Sequence, residues 1–380
     1  MTPPPVTLEG QDAIKLWRQG KEAWNAWVAE NPVADVSFSG ADFSEFESVS
    51  FAGYGFPTGR VDFSNAGFGD GDVDFRYARF GDGDVSFSGA RFGEGRVNFA
   101  NVTFGKGRVD FSGARFGDGE VYFFKATFGD GRANFSSARF GGHFFLLGSE
   151  SSHRISALSF YGCIFESAVT LGGDFTCIPD LRGTTTKAHV DLQGLRVSPW
   201  ENAGWWPWAR RTTQRWHAAA LRRLKEIAEA NRHHDAALRY HADEKRATRW
   251  NEYGAAASLL DWSYDMLCNY GQSVFWPAVW LLGTFVVFAG GYALSAAPTA
   301  TRCGITPCPL WDTLFDASSL SLANIVPFVP AAQAVRGDAL DALFGADPGF
   351  WIDAAILIQG VLGVVFLFLI GLGLRNRFRI

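Results

Sequence analysis

Phe recurs at positions 51, 56, 63, 68, 75, 80, 87, 92, 99, 104, 111, 116, 123, 128, 135 and 140, so that steps of five and seven residues alternate. An amphipathic helix would space apolar positions by three and four, and a half-buried strand by two; neither accounts for this order. The repeating unit has twelve residues, mostly V-x-F-x-x-A-x-F-G-x-G-x, and self-similarity at a fixed period predicts a solenoid. Val61 precedes Phe63 by two and Ala66 precedes Phe68 by two, which puts each pair on one side of a short extended segment. A single unit is too short to enclose Phe side chains. Two units give four faces and a rung of about 24 residues, with rungs stacked ~4.8 Å apart. Phe63, Phe75, Phe87, Phe99, Phe111, Phe123 and Phe135 are then expected inside.

Charge supports that register. At this period Asp72, Arg96 and Glu120 fall in one column and Asp82, Lys106 and Asp130 in another, both alternating in sign. Asp70, Glu94 and Asp118 stack three acids and do not follow the rule. The Gly-x-Gly runs are expected to turn corners with positive φ while a charged residue keeps each corner wet. Calcium binding at these corners is disfavoured, because Arg96, Lys106, Arg108 and Arg132 stand where ligands would be needed. No metal or other cofactor is expected.

Units such as VDFSNAGFGD, VSFSGARFGE and VDFSGARFGD resemble tandem pentapeptide repeats. The resemblance covers roughly residues 36–197 and implies a right-handed, four-sided β-helix with the central Phe and the preceding small residue inside. The regular Gly-x insertion departs from the plain five-residue period. Some soluble members of that family resemble DNA in shape and charge. Val61 to Gly142 carries nearly as many basic as acidic residues, and the net charge of the chain is -5, so neither DNA mimicry nor nucleic-acid binding is expected.

Residues 1–35 are expected to form a helical capping segment, with no cleaved leader because acids and prolines stand where a basic start and an apolar run would be needed. Composition changes after residue 197. The Trp-rich stretch SPWENAGWWPWARR leads to a helix whose face carries Trp216, Ala220, Leu224, Ile227 and Ala228. A second helix is expected to start at Asp235 as N-cap and run through Tyr253. His233, His234 and His241 read as a solvated junction between the two. Residues 198–270 are thus taken as a joint with a helix pair, and 271–380 as a membrane domain.

Phe275 to Leu294 and Ala354 to Leu374 contain no charged residue, and each reaches the ~20 residues that cross a bilayer core. Arg and Lys concentrate before the first stretch and after the second, which predicts cytoplasmic termini and a cytoplasmic solenoid. Cys303 and Cys308 then lie in the exported connection, where a disulfide between them is expected. The segments LRRLKEIAEANRHHDAALRYHADE, LCNYGQSVFWPAVWLL, SLSLANIVPFVP and GLRNRFRI resemble the membrane tail of many bacterial pentapeptide-repeat proteins, often likened to two-span ion channels. That resemblance implies a paired-helix linker, an outer helix, a re-entrant segment and an inner helix in a bacterial plasma membrane. No T-V-G-Y-G filter is present, so potassium selectivity is not implied.

Leu310 to Pro330 is moderately apolar and closes on Pro-x-x-Pro. Ser318, Ser319, Ser321 and Asn324 offer oxygens to a water-filled path; the alternative is an amphipathic helix on the outer surface, anchored by Trp311 and Phe315. Ala355, Gln359 and Gly363 share a helix face, where a close contact and an amide hydrogen bond are expected, with Gln359 turned to protein or water. No phosphate loop, Gly-x-Ser-x-Gly or other catalytic arrangement points to an enzyme. Two functions remain: an oligomeric channel whose subunits ring a path, and a membrane-anchored scaffold whose solenoid binds a cytoplasmic protein.

Overall fold

The structure is a computed structural model that describes residues 6–129, 131–148, 155–192, 194–197, 201–202, 210–211, 214, 216–249, 252–296, 310–345 and 348–378. The chain divides into two compact units, Met1–Glu252 and Tyr253–Ile380.

The first unit is a parallel β-solenoid closed at both ends by helices. Its short strands pair in parallel at a 24-residue step through the regular repeats: Val61 with Val85 and Val85 with Val109, Val73 with Val97 and Val97 with Val121, Phe92 with Phe116 and Phe116 with Phe140. The strands build sheets of seven, five and eight members, and a further column of isolated parallel bridges joins Gly55, Arg79, Thr103 and Thr127. Where the repeat degenerates the step changes, to 25 residues from Ala133 to Leu158 and 21 from Val169 to Val190.

Phe63, Phe75, Phe87, Phe99, Phe111, Phe123 and Phe135 are all fully buried. Rings one rung apart lie face to face at the strand spacing, as in Phe63–Phe87 (4.8 Å), Phe87–Phe111 (4.7 Å) and Phe111–Phe135 (4.9 Å). The column of Phe63, Phe87, Phe111 and Phe135 meets that of Phe75, Phe99 and Phe123 edge to face, as Phe87 meets Phe99 at 5.5 Å and 83°. At the corners, opposite charges meet as the register requires: Arg96 Nε lies 3.8 Å from Glu120 Oε2 and Lys106 Nζ 3.4 Å from Asp82 Oδ2, while the Arg96 backbone amide donates to Asp72 Oδ1 at 2.8 Å.

The role expected of the corner glycines is corrected. Positive φ sits one corner earlier in the unit, at Asn65, Tyr77, Gly89, Asn101, Gly113, Lys125 and Ser137, each just before the inward Ala or Val. Most glycines of the Gly-x-Gly runs have ordinary φ and are required by contact between rungs. A Cβ on Gly95 would stand 2.2 Å from the carbonyl oxygen of Gly71, and one on Gly119 would stand 1.9 Å from that of Gly95.

The N-terminal segment belongs to the solenoid more fully than a cap. Strand Thr7–Glu9 pairs with Asp35–Ser37 and extends the first sheet. Helices α1 (Gly10–Arg18) and α2 (Lys21–Glu30) then cover the open end. Trp24 is fully buried, stacks on Phe38 at 5.8 Å and donates its indole N–H to the Gly55 carbonyl at 2.8 Å. At the other end α3 (Trp216–Ala230) and α4 (His234–Thr248) bury Leu221, Leu224, Ile227 and Tyr240. They tie to the last rungs through Asn231 Oδ1, which accepts from the Val190 amide at 3.0 Å, and Arg223, which donates to the Thr184 carbonyl at 3.0 Å. α4 starts at His234 with Asp235 in its first turn, and no side chain caps it.

The second unit is helical: α5 (Ala255–Cys268), α6 (Phe275–Ser295), α7 (Leu310–Ile325), α8 (Pro330–Phe344) and α9 (Phe350–Arg377). α6 and α9 are long and apolar enough to cross a membrane. α9 extends beyond the uncharged stretch at both ends, taking in Asp353, Arg375 and Arg377. Cys303 and Cys308 lie outside the described residues.

Candidate functional site

The polar residues of the helical unit converge where α6, α7 and α9 meet. On α7, Ser321 and Asn324 stand three apart and so share a face; on α9, Gln359 and Gly363 do the same at four. Facing helices can approach there because Gly363 has no side chain: a Cβ would lie 2.7 Å from the Ile325 carbonyl oxygen, and one on Gly360 would be 3.7 Å from that of Asn324. α7 therefore ends against the middle of α9.

Gln359 organises the contact. Its Nε2 donates to Ser321 Oγ at 2.6 Å and to the Ser321 carbonyl at 3.1 Å. Its Oε1 accepts from the Tyr292 hydroxyl at 2.9 Å and from Asn324 Nδ2 at 3.2 Å. Ser321 in turn donates to the Phe285 carbonyl of α6 at 2.9 Å. Ser321, Asn324, Gln359 and Tyr292 are each no more than 2 % exposed. Asn324 Oδ1 is buried without a hydrogen-bond partner, an omission that costs on the order of 1–3 kcal/mol in an apolar setting.

Of the residues expected to line a path, Ser321, Asn324 and Gln359 are thus brought together and bonded to one another, whereas Ser318 and Ser319 stand beside them, half-buried on α7. Ala355 packs next to the apolar cluster of Tyr292, Ala317, Leu320 and Ile356. Tyr292 escaped the sequence reading because one aromatic in an apolar run carries no periodic signal. Trp311 and Phe315, expected as surface anchors, are exposed on the opposite side of α7.

After Ile325 the helix stops, as Pro327 requires. Val326 to Val329 form a turn in which the Val329 amide donates to the Val326 carbonyl at 3.1 Å, and α8 restarts with Pro330 as its first residue. The turn leaves Phe328 exposed, and α8 returns with Gln333, Asp338 and Asp341 exposed and Ala339 and Leu343 packed into the apolar cluster. Chemically, the cluster is a neutral amide and hydroxyl knot that fastens three helices. Among the described residues no three His, Cys, Asp or Glu side chains gather as metal ligands. Comparison of the chain with protein-family models, with curated proteins and with solved structures finds no match in any of the three.

Proposed function

We propose that the second unit is a bilayer-embedded domain whose copies assemble into a channel, with the solenoid and both termini in the cytoplasm of a bacterial cell. One observation carries the reading: α7 crosses the middle of α6, and the α7–α8 turn begins against the middle of α9. Ser321 contacts Phe285, ten residues into α6 and so about 15 Å along it, and Ile325 meets Gly363, thirteen residues or about 20 Å into α9. With α6 and α9 spanning, Val326 to Val329 fall near the bilayer midplane, and α7 and α8 form a re-entrant hairpin.

Non-helical backbone at that depth is tolerated only inside protein or beside water. In a single chain Phe328 is exposed, and the polar side chains of α8 are uncovered. Further copies that cover the apolar tip and enclose water along α8 satisfy both demands, which is why an oligomer follows. The outward residues of α6 and α9, among them Val287, Leu282, Leu357 and Phe368, form an apolar surface far larger than a soluble fold leaves bare, and lipid suits it. In this account Ser321, Asn324 and Gln359 hold the hairpin in place and the path runs past its tip. The solenoid is taken as right-handed and four-sided, as the pentapeptide resemblance implies, and serves assembly or gating.

The anchored scaffold remains the second reading, and the bonding of Ser321, Asn324, Gln359 and Tyr292 to one another within one chain favours it. Purified protein in liposomes separates the two. A ring of copies that passes ions supports the channel; a monomer, or an oligomer silent under voltage, pH and tension, supports the scaffold.

A further inference from the structure

Helix α5 inverts the usual arrangement of a helix on a water-soluble protein. Ser258 is fully buried and Asp265 is 7 % exposed, while Leu259 and Leu260 are 58 % and 71 % exposed and Tyr264 also stands out. Positions 256, 259, 260, 263, 264 and 267 share one face at 3.6 residues per turn, reading Ala, Leu, Leu, Ser, Tyr, Leu. The opposite face carries Ser258, Asp261 and Asp265, with Trp262 among them. Water would favour burying Leu259 and Leu260 rather than Ser258 and Asp265.

The place of α5 says what covers that face. The helix ends at Cys268 in a left-handed turn of Asn269, Tyr270 and Gly271, and α6 begins four residues later at Phe275. Asn376, at the end of α9, donates to the Gly271 carbonyl at 3.1 Å, and Cys268 packs with Phe366 and Leu369. The turn is therefore level with the end of α9, where Arg375 and Arg377 bracket Asn376. Trp276, at the start of α6, is exposed at the same level. An aromatic and basic girdle of this kind marks a membrane–water boundary.

The geometry points to α5 as an interfacial helix that lies in the cytoplasmic face of the bilayer, with Leu259, Leu260 and Tyr264 among the upper acyl chains. This rests on the membrane reading of the second unit. It adds that the chain grips the bilayer by a surface helix as well as by its spans, which makes the lipid surface a direct partner of the segment leading into α6.

The test is site-directed nitroxide labelling of the full chain in phosphatidylcholine liposomes, with Cys303 and Cys308 replaced by serine. Labels go on Leu260→Cys, Val287→Cys and Arg108→Cys, all exposed positions. Collision rates with oxygen and with a water-soluble nickel chelate are then compared. The inference expects the label at 260 to favour oxygen over nickel several-fold more than the label at 108, at a shallower depth than the label at 287. If the label at 260 behaves as the one at 108 does while that at 287 stays oxygen-rich, α5 is in water and the inference is overturned with the spans intact. If the label at 287 is itself nickel-accessible, the membrane reading fails and takes the inference with it.

Discussion

Replacing Gly95 by Ala isolates the force that spaces the rungs. The added methyl would sit 2.2 Å from the Gly71 carbonyl oxygen and 2.3 Å from its carbon, where ordinary contacts begin near 3.4 Å, so the two corners must part by about an ångström. Both contacts are backbone, which cannot rotate away. The nearby ladder bonds, from the Val73 amide to Arg96 O at 2.8 Å and from the Val97 amide to Glu120 O at 2.9 Å, stretch in consequence. Over-packing of this kind costs 1–3 kcal/mol, and the rigid neighbour sets the upper end, about 3 kcal/mol. Gly113→Ala is the control. It has φ of +64° and open space around its Cβ position, so it loses only the left-handed preference, about 1 kcal/mol. Hydrogen exchange on the full chain reads the difference locally: amides of Val73 and Val97 should exchange about a hundredfold faster in Gly95→Ala, at 1.4 kcal/mol per decade, and those around Gly113 about fivefold faster in the control. Equal effects, or parental exchange in Gly95→Ala, would refute the steric account of the glycine columns.

Trp24→Ala should cost about 3–5 kcal/mol and, because each rung supports only its neighbours, should raise exchange at Val36 to Phe51 while leaving Phe111 protected. Gln359→Leu strands the Tyr292 hydroxyl and Asn324 amide and should lower stability in detergent by about 1–2 kcal/mol; thermal unfolding equal to the parent's would show the knot to be idle. Burial tends to push the Glu244 carboxyl up, but the Arg222 hydrogen bond at 2.8 Å and the Lys225 charge outweigh it and hold the group below the usual carboxylate range. A carboxyl depressed in the folded state stabilises above its unfolded value and loses that contribution as pH falls. Parent and Glu244→Gln should therefore differ by about 1–2 kcal/mol at pH 7 and converge below about pH 4.5 in thermal melts; a constant gap would contradict the assignment.

The solenoid register was readable because Phe spacing and corner charges report the same period, and stacking rings at every rung leave no other alignment. The division of labour among glycines was not, since sequence shows that a side chain is absent and not which contact forbids it. The occurrence of Asn65, Asn101, Gly89 and Gly113 at one position of the unit was the available sign of the left-handed corner. The 21-residue step follows a degenerate unit that carries no Phe to count, whereas Phe160 and Phe165, stacked 25 residues on from Phe135 and Phe140, mark the 25-residue step. In the second unit α6 and α9 are legible from apolar length. α5 was missed because Leu259, Leu260 and Tyr264 are exposed while Ser258 and Asp265 are buried, so a pattern of polar-out and apolar-in misreads it; α8 was missed because Ala-rich helix turns carry little apolar periodicity. Ser321, Asn324 and Gln359 were legible as polar residues in apolar surroundings, but their bonding to one another depends on Gly363 and Tyr292, which only the packing brings in.

The central claim is that a water path runs past the α7–α8 tip in an assembly of copies. The most direct measurement is ionic current through liposome-reconstituted Phe328→Cys before and after a membrane-impermeant, charged thiol reagent, with Cys303 and Cys308 replaced by serine. The account predicts a current that the reagent alters in the variant and leaves unchanged in the same background with Phe328 retained. Protein that inserts and assembles yet carries no current under voltage, pH or tension, or a current indifferent to modification at residue 328, would contradict it.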